Sequence, residues 1–314
     1  MKLAELVSLY ITSKQSAGMR FRSEAGILNA FCRSLREIDV VDVQPSAVMD
    51  FIAGSGPITA YWHFKFTVLR GLYRFAMARG YADVSPLPTT MPRRPQGLTP
   101  YVYSSEELRR LLTATGRLRA PNSPLQATTF RSLLLVLYGT AIRVGEALSL
   151  TMADVNLPES LITVRDAKFF KSRLVPIGPK LTDQLSAYKK QRCLLPLPQA
   201  EASAFFATRT GNALTYHRVR QLFVRLRKIA NIRREDGARY QPRLHDLRHT
   251  AATHRVVTWY REGANLQRLL PRLSTYLGHV DIASTQRYLS MTTELLRQAS
   301  RRFERYARTG VHDE

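Results

Sequence analysis

The chain has 314 residues, 45% of them hydrophobic, with 16 glycines and 16 prolines. That is enough for two ordinary domains with separate cores, and it excludes a disordered polypeptide. A formal charge of +23, from 47 Lys and Arg against 24 Asp and Glu, predicts a polyanionic partner, because such side chains neutralise phosphates and release counterions.

No run approaches the ~18 apolar residues of a membrane span, and "VSLYITSK" is too short and too polar for a signal peptide. A cytoplasmic, nucleoid-associated protein with no membrane contact is expected. Cys32 and Cys193, far apart in the chain, read as free thiols of a reducing compartment. Zinc-ligand spacings, HExxH and Walker-type glycine loops are missing from the sequence, so neither a metal nor a nucleotide cofactor is expected. The charge is uneven: residues 93–314 hold 37 basic and 17 acidic residues, residues 1–92 only 10 and 7.

Along the chain, "LAELVSLYITSK", "EAGILNAFCRSLREI", "PSAVMDFIAG" and "TAYWHFKFTVLRGLYRFAMARG" carry apolar residues at helical spacing, with Gly80 as a stop. In the last, Tyr61, His63, Lys65 and Arg70 read either as a phosphate-facing set or as a solvated face. "VSPLPTTMPRRPQGLTP", with five prolines, cannot be one helix or a central strand and reads as a linker. The expected division is a helical domain over 1–85, a linker over 86–103 and a second domain over 104–314.

The second domain opens on "SSEEL", where Ser104 and Glu107 form a capping-box pattern. A mostly apolar helix follows around "FRSLLLVLYGT", then a short one at "RVGEALSL". "LITVRD" and "SRLVPI" alternate as strands joined by a hairpin at "AKFFK". "KLTDQLSAYKKQRCLL", "YHRVRQLFVRLRKIANI", "HDLRHTAATHRVVTWYREG" and "ANLQRLLPRLSTYLG" read as helices, the last ended or kinked by Pro271. A terminal amphipathic helix occupies "TELLRQASRRFERYAR". The expected fold is mainly α with a small antiparallel β-sheet.

Polar groups cluster at the ends of these elements. Arg143 and Glu146 share a face of the short helix, Lys168 sits in the hairpin turn, and His245 and Arg248 stand three apart. His279 follows the expected stop at Gly278, and Tyr288 lies on the next short helix, which Asp281 can cap. Together they describe a phosphodiester site. Two arginines clamp non-bridging oxygens, histidines move protons, a lysine protonates a leaving oxygen and a tyrosine attacks phosphorus. His249 and His254 read as helix-core residues.

The ordered set "GTAIRVGEAL", "AKFFKSRLVPI", "HDLRHT", "LGH" and Tyr288 nine residues after His279 resembles the tyrosine recombinase (phage integrase) family over about residues 104–300. The resemblance implies a helical core-binding domain followed by a catalytic domain, the two forming a clamp on duplex DNA. It implies that Arg143 and Arg248 bind the scissile phosphate and that Lys168 is the acid to the leaving 5′-oxygen. His245 is then the acid/base near the nucleophile, His279 a phosphate ligand, Glu146 a supporting carboxylate, and Tyr288 the residue that forms a 3′-phosphotyrosyl link. It also implies double-stranded DNA and a homotetrameric synapse as partners, with related recombinases or accessory proteins as further ones, and no cofactor.

The turn departs from the family in carrying Phe169 and Phe170 where glycine is usual, which leaves Lys168 and Lys171 as rival acids; position relative to "RLVPI" favours Lys168. The segment after residue 293 docks either on its own subunit or on a neighbour. The function expected is site-specific recombination or integration for a mobile element. The alternatives are a type IB topoisomerase-like enzyme and a non-catalytic DNA-binding architectural protein.

Overall fold

The computed structural model describes residues 1–95, 99–118, 126–165, 172–279, 283–286 and 300. Lys168, Lys171, Asp281, Tyr288 and, except for Ser300, the segment after residue 293 lie outside the described residues. The chain divides into two compact units, Met1–Leu98 and Thr99–Glu314. Among the described residues no helix is long and apolar enough to cross a membrane.

The first unit is helical. Helix α1 (Leu3–Ser16) buries Leu3, Leu6, Val7 and Tyr10, the three-to-four spacing of a one-sided helix. Helix α2 (Arg22–Leu35) buries Ile27, Leu28 and Phe31, and α3 (Pro45–Ala53) starts on Pro45, whose fixed φ suits a first helical turn. Helix α4 (Ala60–Ala78) is capped by Thr59, whose hydroxyl accepts from the Trp62 N–H. It runs close to α1: a Cβ on Gly71 would stand 2.6 Å from the Tyr10 hydroxyl. Beyond it, Gly80 takes φ +72° and acts as the expected stop.

The α4 polar set divides: Tyr61 and Arg70 are exposed, as on a solvated face, and His63 and Lys65 are not. His63 is buried, because α4 buries a broad arc that includes its neighbour Trp62 as well as Phe66 and Leu69. Lys65 reaches back to α3, where its ammonium donates to the Phe51 carbonyl at 2.7 Å, a favourable partner for the last turn of a helix. Tyr61 is exposed.

The second unit begins with α5 (Ser105–Ala114), which carries the capping box in full. The Ser104 hydroxyl accepts from the Glu107 N–H at 3.1 Å, and the Ser104 N–H donates to the Glu107 carboxylate at 2.8 Å. Helix α6 (Gln126–Thr140) runs through the core, burying Phe130, Leu133, Leu134, Val136 and Leu137. After α7 (Val144–Leu148) comes a three-stranded antiparallel sheet in the order β1 (Val155–Asn156), β2 (Leu161–Val164), β3 (Arg173–Pro176). Its register pairs Val155 with Ile162, Ile162 with Val175 and Val164 with Arg173. The alternating pattern identified β2 and β3; β1, at two residues, is too short to alternate.

Helices α8 (Pro179–Cys193), α9 (Tyr216–Ile229), α10 (Asp246–Arg261), α11 (Leu266–Leu277) and α12 (Ala283–Gln286) complete the unit. Helix α11 does not end at Pro271 but continues through it to Leu277. Proline removes one helical hydrogen bond. The apolar stripe Leu270, Leu273 and Leu277, clustered with Ala252, Val256 and Val257 of α10, holds the helix together across that loss, as tertiary packing commonly does.

Candidate active site

Arg143 is the N-cap residue of α7. Its main-chain N–H donates to one Glu146 carboxylate oxygen at 2.9 Å, and its Nη1 donates to the other at 2.7 Å. The three-residue spacing read from "RVGE" thus closes into a reciprocal cap. The other terminal nitrogen, Nη2, donates to the Gly278 carbonyl at 2.9 Å, across the unit at the end of α11.

Arg248 lies in the first turn of α10 and is only 3% exposed. Its Nη1 donates to the Ala141 carbonyl at 2.6 Å and its Nη2 to the Leu277 carbonyl at 2.7 Å. Both guanidinium groups therefore meet the C-terminus of α11, where unpaired carbonyls and the negative end of the helix dipole favour cations. Ala141, two residues before Arg143, adopts φ +52°, a conformation uncommon for a residue with a side chain.

The turn that follows α11 is closed by main-chain bonds. Gly278, at φ 65° and ψ 43°, donates its N–H to the Thr275 carbonyl, and the His279 N–H donates to the Ser274 carbonyl at 3.0 Å. This is the double-bonded C-cap that a left-handed glycine permits. The His279 Nδ1 is 2.8 Å from the Thr285 hydroxyl, which ties the histidine to α12.

His245 is the N-cap residue of α10 and is exposed, with its ring 5.0 Å edge-on to His249. Partial burial of the ring, then the Arg248 guanidinium, push its pKa below the ordinary 6.5. His249 is half-buried, and burial followed by the neighbouring His245 lowers it to about 4. His254 is also half-buried, with its Nδ1 2.9 Å from the Tyr138 hydroxyl.

The described residues thus bring Arg143, Glu146, Arg248 and His279 together around the end of α11, with His245 at the start of the helix that carries Arg248. Two further residues of the site were not singled out from the sequence. Arg173, on β3, donates Nη1 and Nη2 to the two Glu146 oxygens at 3.2 and 2.8 Å. Burial opposes the Glu146 charge, but the bonds from Arg173 and Arg143 outweigh it and hold the carboxyl at about 2. Asp246, 1% exposed, accepts from the Arg243 N–H and guanidinium at 2.8 Å each and fixes the entry to α10. The signal available for Arg173 was a guanidinium at the edge of an otherwise apolar strand; for Asp246 it was the R-x-x-D spacing.

The Phage integrase family model matches residues 102–294. Protein y4rB of Sinorhizobium fredii (strain NBRC 101917 / NGR234), which carries an integrase/recombinase designation, is 33% identical over 305 residues, covering 96% of each chain. Tyrosine recombinase XerC of Oceanobacillus iheyensis is 30% identical over 238 residues, covering 75% of this chain and 71% of its own. Among solved structures, the Tn1549 transposon integrase in complex with transposon right-end DNA superposes with a TM-score of 0.71 at 16% identity, covering 98% of this chain and 100% of that one. At that identity the likeness is one of fold. A site of paired arginines, a supporting carboxylate and a histidine after Leu-Gly, within a matched region that includes them all, leads to one conclusion: the chain belongs to the phage integrase family, the tyrosine recombinases, enzymes that cut and rejoin DNA strands.

Proposed function

We propose that this chain is a site-specific recombinase of a mobile element and that it cuts DNA through a 3′-phosphotyrosyl ester on Tyr288. The observation that carries the reading is the convergence of Arg143 and Arg248 on Gly278 and Leu277, immediately before His279 and nine residues after which Tyr288 follows in the sequence. Two guanidinium groups at one point supply the positive charge that a pentavalent phosphorus requires, together with several donors for its oxygens.

In this reading the Tyr288 oxygen attacks the scissile phosphorus while the bond from phosphorus to the 5′-oxygen breaks. The tyrosine proton passes to His245, whose depressed pKa keeps the ring neutral and able to accept it at neutral pH. Lys168 gives a proton to the departing 5′-oxygen. Arg143, Arg248 and His279 hold the phosphate oxygens, and Glu146 orients Arg143. The 5′-hydroxyl of a partner strand then attacks the ester, the protons run back and Tyr288 is released. One phosphodiester is exchanged for another, so the reaction needs no cofactor.

The partner is double-stranded DNA, and the working form is a homotetramer holding two sites. Lambda integrase, similar in fold at 16% identity, has been solved as a dimer on a core site and as a tetramer on a Holliday junction. The helical segment 1–85 serves as the core-binding domain, 86–103 as the linker and 104–314 as the catalytic domain of a cytoplasmic, nucleoid-associated protein. The recombinase reading is supported by the match to y4rB across nearly the whole chain, and the mobile-element role by the fold shared with the transposon integrase.

Covalent trapping tests the reading. The duplex sequence that the wild-type chain selects from a random library is rebuilt with a nick, so that cleavage releases a short fragment and traps the ester. Wild type is expected to give a protein–DNA adduct on a denaturing gel, and Tyr288→Phe none. A wild-type chain that binds its selected duplex but forms no adduct sinks the reading in favour of a non-catalytic DNA-binding protein. An adduct that survives in Tyr288→Phe means another nucleophile.

A further inference from the structure

Glu146 holds two arginines at once. One carboxylate oxygen accepts from Arg143 Nη1 at 2.7 Å and Arg173 Nη1 at 3.2 Å; the other accepts from the Arg143 N–H at 2.9 Å and Arg173 Nη2 at 2.8 Å. The Glu146 side chain is 9% exposed and Arg173 14%, while Arg143 is 33% exposed. The inner pair is thus Glu146 with Arg173, and Arg143 is the outer, more accessible partner. Arg173 also stands under the turn after α11: a Cβ on Gly278 would come within 3.0 Å of its Nη1 and 3.1 Å of its Cζ. One guanidinium therefore binds the carboxylate that restrains Arg143 and lies beside Gly278, whose carbonyl accepts from Arg143 Nη2.

If Arg143 binds a phosphate, as proposed above, through the Nη groups that donate to Glu146 and Gly278, its bond to Glu146 is weakened or shared. A buried carboxylate left without a cationic partner is strongly unfavourable, so without Arg173 the Glu146 carboxylate would hold Arg143 back. We infer that Arg173 is a positioning residue for strand cleavage: it keeps the Glu146 carboxylate bound, so that Arg143 can turn its Nη groups from Glu146 and Gly278 to the scissile phosphate. The planar fork of arginine, matched to both carboxylate oxygens, suits the role; a lysine presents a single point charge. The inference rests on Arg143 being a phosphate ligand.

The test compares Arg173→Met, Arg173→Lys, Glu146→Gln and Arg173→Met/Glu146→Gln, each a full chain, on the nicked duplex selected by wild type. At saturating duplex, Arg173→Met is expected to slow adduct formation by about 10- to 100-fold, the scale seen when a group that orients a metal-binding side chain is lost. Duplex affinity should stay within about threefold, because it is set by many basic contacts. Arg173→Lys should fall between wild type and Arg173→Met.

The readout that a merely structural role would not move is the double variant. With the carboxylate neutralised the charged restraint on Arg143 is removed, so adding Glu146→Gln to Arg173→Met should raise the rate again, a non-additivity expected of coupled neighbours. If Arg173→Met does not fold, as judged by circular dichroism, Arg173→Lys with and without Glu146→Gln makes the same comparison. An Arg173 variant that cleaves at the wild-type rate, or a double variant no faster than its Arg173 parent, overturns the inference. A different result marks failure of the underlying reading: Arg143→Ala that still forms the adduct at the wild-type rate removes Arg143 from the phosphate, whatever Arg173 does.

Discussion

The Tyr103 main-chain N–H donates to the Thr250 hydroxyl at 3.0 Å, joining residues 147 positions apart. Thr250 in turn donates to the Asp246 carbonyl at 2.8 Å, and the Tyr103 hydroxyl donates to the Arg243 carbonyl at 3.0 Å. The segment that enters the second unit is thereby tied to the first turn of α10, the turn that presents His245 and Arg248. Thr250→Val leaves a buried N–H without an acceptor and is expected to lower unfolding free energy by about 1–3 kcal/mol. Tyr103→Phe, which frees only a carbonyl, should cost about 1 kcal/mol. Urea denaturation midpoints at constant m-value read both.

Arg248 is both a proposed phosphate ligand and a structural bolt. Its removal to alanine deletes two charged hydrogen bonds to buried carbonyls, and a loss of about 3 kcal/mol is expected. Arg248→Lys keeps the charge but cannot reach Ala141 and Leu277 together. It should recover part of the stability while leaving adduct formation far below wild type. Thermal unfolding and the trapping gel, run on the same preparations, separate the two effects.

Gly278→Ala meets two obstacles at once. The backbone stands at φ +65°, and the new methyl would lie 3.0 Å from the Arg173 guanidinium. The left-handed conformation alone costs a side-chain-bearing residue about 1–2 kcal/mol. Because the contact is with the partner of Glu146, the substitution should also slow cleavage more than the stability loss explains. Gly80→Ala, with a similar φ of +72° and open space around it, is the control: comparable strain, no effect on the adduct rate in folded protein.

Glu146 gives a pH signature. Its folded-state carboxyl sits at about 2 against an ordinary 4.5. Proton linkage makes that depression worth about 3 kcal/mol of stability. The group is depressed on folding, so the contribution is full above pH 4.5 and is lost as the pH falls from 4.5 toward 2. The stability difference between wild type and Glu146→Gln should therefore be largest near neutrality and shrink across that window. A difference that stays constant from pH 6 down to pH 3 contradicts the assignment of the low carboxyl to Glu146.

Local patterns in the sequence carried much of this. Ser104 with Glu107, Gly80, Gly278, the alternation of β2 and β3, and the three-residue spacing of Arg143 and Glu146 all depend on neighbours a few positions away, and each formed as the pattern implies. What escaped depended on distant partners. Arg173 meets Glu146 only because β3 folds back beside α7, and no periodicity announces which side chain a strand's charged end will meet. His63 is buried because α4 is covered over a broad arc. Pro271 stays within α11 because the stripe of Leu270, Leu273 and Leu277 is packed. Lys168 and Tyr288 lie outside the described residues, so their proposed roles stand on sequence motif and family membership.

The arginine anchors at residues 141, 277 and 278 are main-chain oxygens. An oxygen of that kind is supplied by any of the twenty residues. Substitutions at Ala141 or Leu277 can alter packing without deleting the acceptor that Arg248 uses, so the path of the backbone there is under tighter constraint than the side chains it carries. A search for relatives with the same site would do better to compare the trace around the end of α11 than the identities of the residues lining it.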